Sequence, residues 1–211
     1  PLGGPTQEVT SRFTQSRDVS GTVRFVTGTQ TGAKRFSGDG GRAVEALLNF
    51  PGAVVVDPHG NLYIADTMNH RVRKVDAESG RITTIAGTGQ KRWSGDGGPA
   101  VLATLNEPTA LALDQKGLLY IADQSNHRVR RLNLDTGMIT TIAGTGEAGY
   151  SGDGMPGHEA TLSGPSGLAV GADGTLYIAD TFNGRIRKVD ADTNVITTVA
   201  GFAALLALPH L

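Results

Sequence analysis

The chain has 211 residues, 30 of them glycine, a formal net charge of −1, 38% hydrophobic residues and no cysteine. The near-zero charge removes any global attraction to nucleic acid or an anionic membrane, and the lack of cysteine excludes disulfides and thiolate metal sites. No apolar stretch reaches the length of a membrane span, and no secretory signal is visible.

The first 21 residues are polar and unpatterned, and are expected to be disordered. Residues 22–29, TVRFVTGT, read as a strand. From there on the chain is periodic. SGDG begins at Ser37, Ser94 and Ser151, and LYIAD at Leu62, Leu119 and Leu176. ITTIAG begins at Ile82 and Ile139, and ITTVAG at Ile196, so every mark recurs 57 residues later. A fixed period of this length marks an array of supersecondary units.

The second unit shows what each one builds. ALALD (110–114) meets the turn QKG, and LLYIAD (118–123) is a short β-favouring run. After the polar turn QSNH, RVRRLNL (128–134) alternates Arg with Val, and DTG leads into the β-branched MITTIAGT (138–145). Four short antiparallel strands with tight turns, repeated, describe a β-propeller blade. The third unit has Asn194 where the others have Gly80 and Gly137, which suits a left-handed turn position. The innermost strands are expected at 53–57, 110–114 and 168–172, and the ITT runs at the outer edge. The expected fold is all-β, with three complete blades (about 53–87, 110–144 and 167–201) preceded by the extra strand. That is a partial propeller, or half of a six-bladed one. Its two open flanks would invite self-association.

The segment from Gly89 to Pro108 must carry the chain from the outer edge of one blade to the inner strand of the next. Its glycines suit tight turns, and Asp39, Asp96 and Asp153 are expected to bond nearby backbone N–H groups. Pro99 suits the start of a helical turn. Ala100, Ala103 and Leu105 are placed between blades. No Lys-Ser/Thr follows the glycines, and the carboxylate spacing of a calcium loop is absent. After Gly201 the run FAALLALPHL (202–211) departs from the repeat as a divergent tail.

The runs YIADTMNHRVRKV, YIADQSNHRVRRL and YIADTFNGRIRKV, with the SGDGGPA extension, resemble the NHL repeat. The likeness is to its long form, found in bacterial proteins and teneurin-like ectodomains, and covers residues 22–201. The Asn-His pair is Asn69–His70 and Asn126–His127. The third copy has Asn183–Gly184, and Arg follows the pair in every copy. The resemblance implies a propeller that serves as a binding platform for a protein or a glycan, in an extracellular or periplasmic setting. The family also includes RNA-binding propellers and a few lyases.

Asp66, Asp123 and Asp180 close the second strand and Arg71, Arg128 and Arg185 open the third, so each Asp can face its own Arg or the loop backbone, and the Asp–Arg pair is expected to form a structural clasp. A feature present in every unit is architecture first. The arginine rows alternate with Val or Ile, as on a strand with one polar face, and no aromatic platform interleaves with them, which argues against nucleic acid. His70 and His127 are too few for a closed metal site. Phe36, Trp93 and Tyr150 stand immediately before each SGDG. They either pin the crossover to its blade or form an exposed ladder that stacks on a sugar or a protein. No Ser-His-Asp set is brought together by the blade order, and no cofactor or metal is expected. The reading is a non-catalytic binding scaffold. Its alternative is a lyase or hydrolase with a central-channel site completed by blades outside this chain.

Overall fold

A computed structural model describes residues 36–201. The expected N-terminal segment, the strand at 22–29 and the tail at 202–211 lie outside the described residues. The first blade holds β1 (Pro51–Val56), β2 (Leu62–Asp66), β3 (Arg71–Val75) and β4 (Ile82–Ala86). A two-residue strand, β5 (Gly98–Pro99), precedes the second blade: β6 (Pro108–Leu113), β7 (Leu118–Asp123), β8 (Arg128–Asn133) and β9 (Met138–Ala143). The third holds β10 (Pro165–Val170), β11 (Leu176–Asp180), β12 (Arg185–Val189) and β13 (Ile196–Ala200). Each blade is an antiparallel sheet with its strands in chain order, and β6 packs beside both β1 and β10. This is the propeller arrangement, with β1, β6 and β10 innermost.

The inner strands begin two to three residues earlier than the sequence pattern suggests, each at a proline. A proline tolerates the first position of a strand because it has no N–H to leave unpaired. A register shift follows at once, between Pro51 and Ala53, Pro108 and Ala110, and Pro165 and Gly167. The third inner strand stops at Val170 because Gly171 already belongs to the turn, its N–H donating to Thr175 O. Asn194 takes the left-handed conformation at φ +57, matching Gly80 at +65 and Gly137 at +69.

The crossover does more than span the gap. Before reaching the inner strand it lies along the outer edge of its own blade, so that β5 pairs with β9. Single bridges repeat this contact at Arg42–Arg81 and Pro156–Val195. One end of each blade's outer edge is thereby paired, which shortens the free strand edge. The same segment also reaches back, with Gly87 and Thr88 donating to Ala100 O and Ala103 O. The helical start expected near Pro99 is one 3₁₀ turn, Ala100–Leu102.

The core lies between blades rather than within one. Tyr63, Ala65, Val72 and Ala86 of blade 1 meet Leu111, Leu119, Ile121, Leu132 and Ile139 of blade 2. Ala100, Ala103 and Leu105 fill the seam and are fully buried, as the sequence places them. The next junction repeats this with Ala160 and Leu162. On the far side of blade 3 the equivalent face is open. Tyr177 is 39% exposed where Tyr63 is 3% exposed, and Ile186 is 38% exposed where Val72 and Val129 are fully buried.

Candidate functional site

Every second-to-third-strand turn lies beside a crossover at the same end of the blades. The polar groups gathered there repeat three times. At the bottom of each set is a fully buried arginine: Arg73, Arg130 or Arg187. Arg73 reaches Asp39 Oδ1 at 2.8 Å and Asp66 Oδ2 at 3.4 Å. Arg130 reaches Asp96 at 2.7 Å and Asp123 at 3.7 Å, and Arg187 reaches Asp153 at 2.7 Å and Asp180 at 3.6 Å.

This corrects one expectation. The SGDG aspartates do not bond the nearby backbone. Each pairs with an arginine 34 residues further along the chain. Arg71 and Arg73, Arg128 and Arg130, and Arg185 and Arg187 do share one face of their strand, as the alternation suggests, but the second of each pair is buried in the blade.

The expected Asp–Arg clasp is altered in the same way. Asp66 stands opposite Arg71 in the β2–β3 ladder, but its ion pair runs diagonally to Arg73. The Asp66 carboxylate also accepts from Asn49 N at 2.7 Å and Asn69 Nδ2 at 2.9 Å. Asp123 and Asp180 have the same partners, Asn106 N with Asn126 and Ser163 N with Asn183. A buried guanidinium costs far more without a counter-charge than one at the strand end, which is why the inner arginine holds the carboxylate. Burial pushes the Asp123 carboxyl up to about 6, against the bonds from Asn106 and Asn126 and the attraction of Arg130.

The arginines freed from the clasp carry the outermost layer. Arg71 lies over the Phe36 ring at 3.8 Å, Arg128 over Trp93 at 4.0 Å and Arg185 over Tyr150 at 3.7 Å. Arg71 is held in place by donating to Asn69 O and Thr88 O, Arg128 by Gly144 O and Thr145 O, and Arg185 by Asn183 O. Burial lowers the Arg71 pKa, and the Arg73 charge lowers it further. Tyr150 Oη donates to Asp153 Oδ2 at 3.1 Å and lies 3.2 Å from Thr198 Oγ1. The Asn126 and Asn183 amides tie the crossovers at Arg92 O and Gly149 O, one residue before each ring.

The two readings of the aromatic residues therefore describe the same rings. One face of each is pinned by a guanidinium. Trp93 and Tyr150 remain 43% exposed, and Phe36 is half-buried. Such a cation–π contact contributes about 0.5–1 kcal/mol at an exposed site, enough to favour this ring orientation over others.

At the opposite end of the strands, a shallow groove between blades 2 and 3 is lined by Asp114, Tyr120, Arg131, Leu176 and Asp190. Burial, and then the Asp114 charge, push up the Tyr120 hydroxyl there. Among the described residues, no three His, Asp or Glu side chains gather as a metal site would require. None of the described helices is long and apolar enough to cross a membrane.

Comparison with known proteins agrees with this geometry. The family model for the teneurin NHL domain matches residues 11–94, 88–149 and 146–190. NHL repeat-containing protein 2 of Bos taurus is 33% identical over 152 residues, which are 69% of this chain and 21% of that protein. Teneurin-1 of Homo sapiens is 29% identical over 83% of this chain and 9% of its own length. The chain thus spans about a fifth or less of these curated relatives. Among solved structures, a structural genomics protein of unknown function from Bacteroides thetaiotaomicron has a TM-score of 0.56 and 26% identity, over 67% of this chain and 37% of that one. An auxiliary nutrient binding protein from the same organism has a TM-score of 0.52 and 26% identity, over 69% and 36%.

Proposed function

We propose, from the premise that this chain belongs to the teneurin-type NHL-repeat family of β-propellers, that it is a non-catalytic scaffold which binds a protein or a glycan on the face carrying Phe36, Trp93 and Tyr150. The observation behind this reading is the pinning of the rings. An aromatic anchor contributes most to binding when it is rigid before the partner arrives, because little conformational freedom is then lost. Trp93 and Tyr150 combine exposed ring area with a fixed orientation. Arg128, behind Trp93, gives donors to two backbone carbonyls and Arg185, behind Tyr150, to one, so the surface on offer is aromatic with a guanidinium behind it. Rings of this kind stack on the apolar faces of sugars and on protein side chains. The likeness to a solved nutrient binding protein supports a binding role of this type.

Trp93 is the chain's single tryptophan, so its emission reports on this face directly. A glycan array identifies candidate sugars, and each is then titrated against Trp93 fluorescence. A saturable change is expected. Tyr150→Ala should weaken it by about tenfold or more, the loss of an aromatic anchor, with only a small drop in melting temperature from the lost Asp153 bond and Arg185 contact. If neither an array glycan nor an ectodomain panel perturbs Trp93, or if alanine at all three rings leaves affinity intact, this face is not the binding surface.

A further inference from the structure

His70 sits in the left-handed backbone region, with φ +54 and ψ +43. A non-glycine residue takes that conformation at a cost of order 1 kcal/mol. His127 does the same at φ +52, and in blade 3 the position is Gly184 at φ +61. Glycine would serve this turn better in every blade. What the imidazoles add is a bond across the blade junction. His70 Nδ1 accepts the backbone N–H of Glu107, and His127 Nδ1 that of Gly164, each at 3.1 Å. Glu107 and Gly164 are the residues through which the chain enters the next inner strand, and both have positive φ. Accepting at Nδ1 requires the neutral ring with its proton on Nε2.

We propose that His70 is an acid-released latch between blades 1 and 2. While neutral, it holds the Glu107 amide. Once protonated, it sets an N–H against that N–H, and the junction loses the bond. The charged groups around the ring are Arg71 at the start of β3, Lys91 in the crossover, Glu107 itself and Asp66 at the end of β2. The two carboxylates are already engaged. Glu107 accepts from Ser125 Oγ at 2.7 Å and lies 3.9 Å from Lys91 Nζ. Asp66 holds Asn49, Asn69 and Arg73. Burial, and then the Lys91 charge, keep the imidazole below its usual pKa.

The direction of the pH effect follows. A histidine whose folded pKa is depressed takes up its proton first in the unfolded chain. Its contribution is complete above the unfolded value of about 6.5 and is lost as the pH falls from there through the lower folded value. Mild acid therefore loosens this junction while the strands of each blade keep their own ladders.

Amide hydrogen exchange on the whole chain tests the latch, at about pH 7.5 and about pH 5.5 with intrinsic rates corrected. Relative to the Ile121 amide within β7, protection of the Glu107 amide is expected to fall about three- to tenfold in acid, the loss of one hydrogen bond. His70→Asn keeps a residue that tolerates the left-handed turn, as Asn194 does. In that variant the Glu107 amide is expected to be poorly protected at both pH values. A wild-type Glu107 amide whose relative protection ignores pH would overturn the proposal, as would an unchanged acid effect in the variant. Ring-nitrogen NMR of the wild type decides independently of the variant's folding. An Nδ1 that carries a proton at neutral pH, or a ring titrating at or above the ordinary histidine value, rules the latch out.

Discussion

Arg130→Met is expected to destabilise the protein by about 3–5 kcal/mol, the cost of breaking a buried ion pair by removing one partner. Methionine nearly fills the space but leaves the buried Asp123 without its guanidinium, and leaves Asp96 with nothing to hold its loop against β8. For a chain of this size the melting temperature should drop by roughly 8–15 °C. The deficit should also depend on pH. Burial already raises the Asp123 carboxyl to about 6, and without Arg130 it rises further. A carboxyl raised in the folded state contributes stability that is complete below its unfolded value and lost as the pH climbs through its folded value. The variant should therefore be closest to wild type near pH 4 and furthest from it above pH 7. Denaturant melts at the two ends of that window measure both effects. A pH-independent loss would mean that Asp123 is not the group left stranded. Adding Asp123→Asn to Arg130→Met should recover part of the loss at neutral pH, since one uncompensated charge is then gone.

The residues in that argument mark the boundary of what could be read from the sequence. The 57-residue period and the alternation of Val and Ile expose the blades, because strand pairing within a blade is local and every unit must solve it alike. The seam residues Ala100, Ala103 and Leu105 were legible for the same reason, as small and apolar side chains in a loop need a packed place. The partner of each charge was not legible. Arg71 and Arg73 lie on one face of β3 two residues apart, and alternation cannot say which of them is buried. That depends on where the crossover lands. The crossover runs along the outer edge of its own blade, a path the sequence pattern does not encode, and so brings Asp39, Asp96 and Asp153 over the inner arginines. Once those are paired, the outer arginines are left to the rings. The histidines did leave one signal. Gly184 at the place of His70 and His127 points to a left-handed residue, but the bond to the next blade lies 37 positions away and appears only when two blades are set side by side.

Gly144→Ala should be as damaging as the arginine change, and for a reason confined to the backbone. A Cβ at Gly144 would stand 2.2 Å from the His127 carbonyl oxygen and 3.0 Å from Arg128 Cα. Neither is a side chain that can rotate away. Gly144 also has φ +93, beyond the left-handed well that other residues tolerate. Its N–H is fixed to Gly157 O at 3.0 Å, so the peptide cannot shift without opening the seam to the next crossover. Gly87 and Gly201 face the same collision, at 2.3 Å from His70 O and 2.1 Å from Gly184 O. This makes the close approach a property of the blade design. Strain of this kind with no relaxation path costs about 3 kcal/mol or more. The matched comparison is Gly137→Ala. Gly137 is also at positive φ, +69, but a Cβ there meets nothing within 4 Å, and Asn194 occupies the same place in blade 3. Only the left-handed penalty applies, about 1 kcal/mol. Parallel urea melts of the two variants should therefore separate by about 2 kcal/mol or more. Equal losses would mean that the β8–β9 end can open to accept a methyl group, and that the tight passage of strand against turn is not what holds the blade's outer corner.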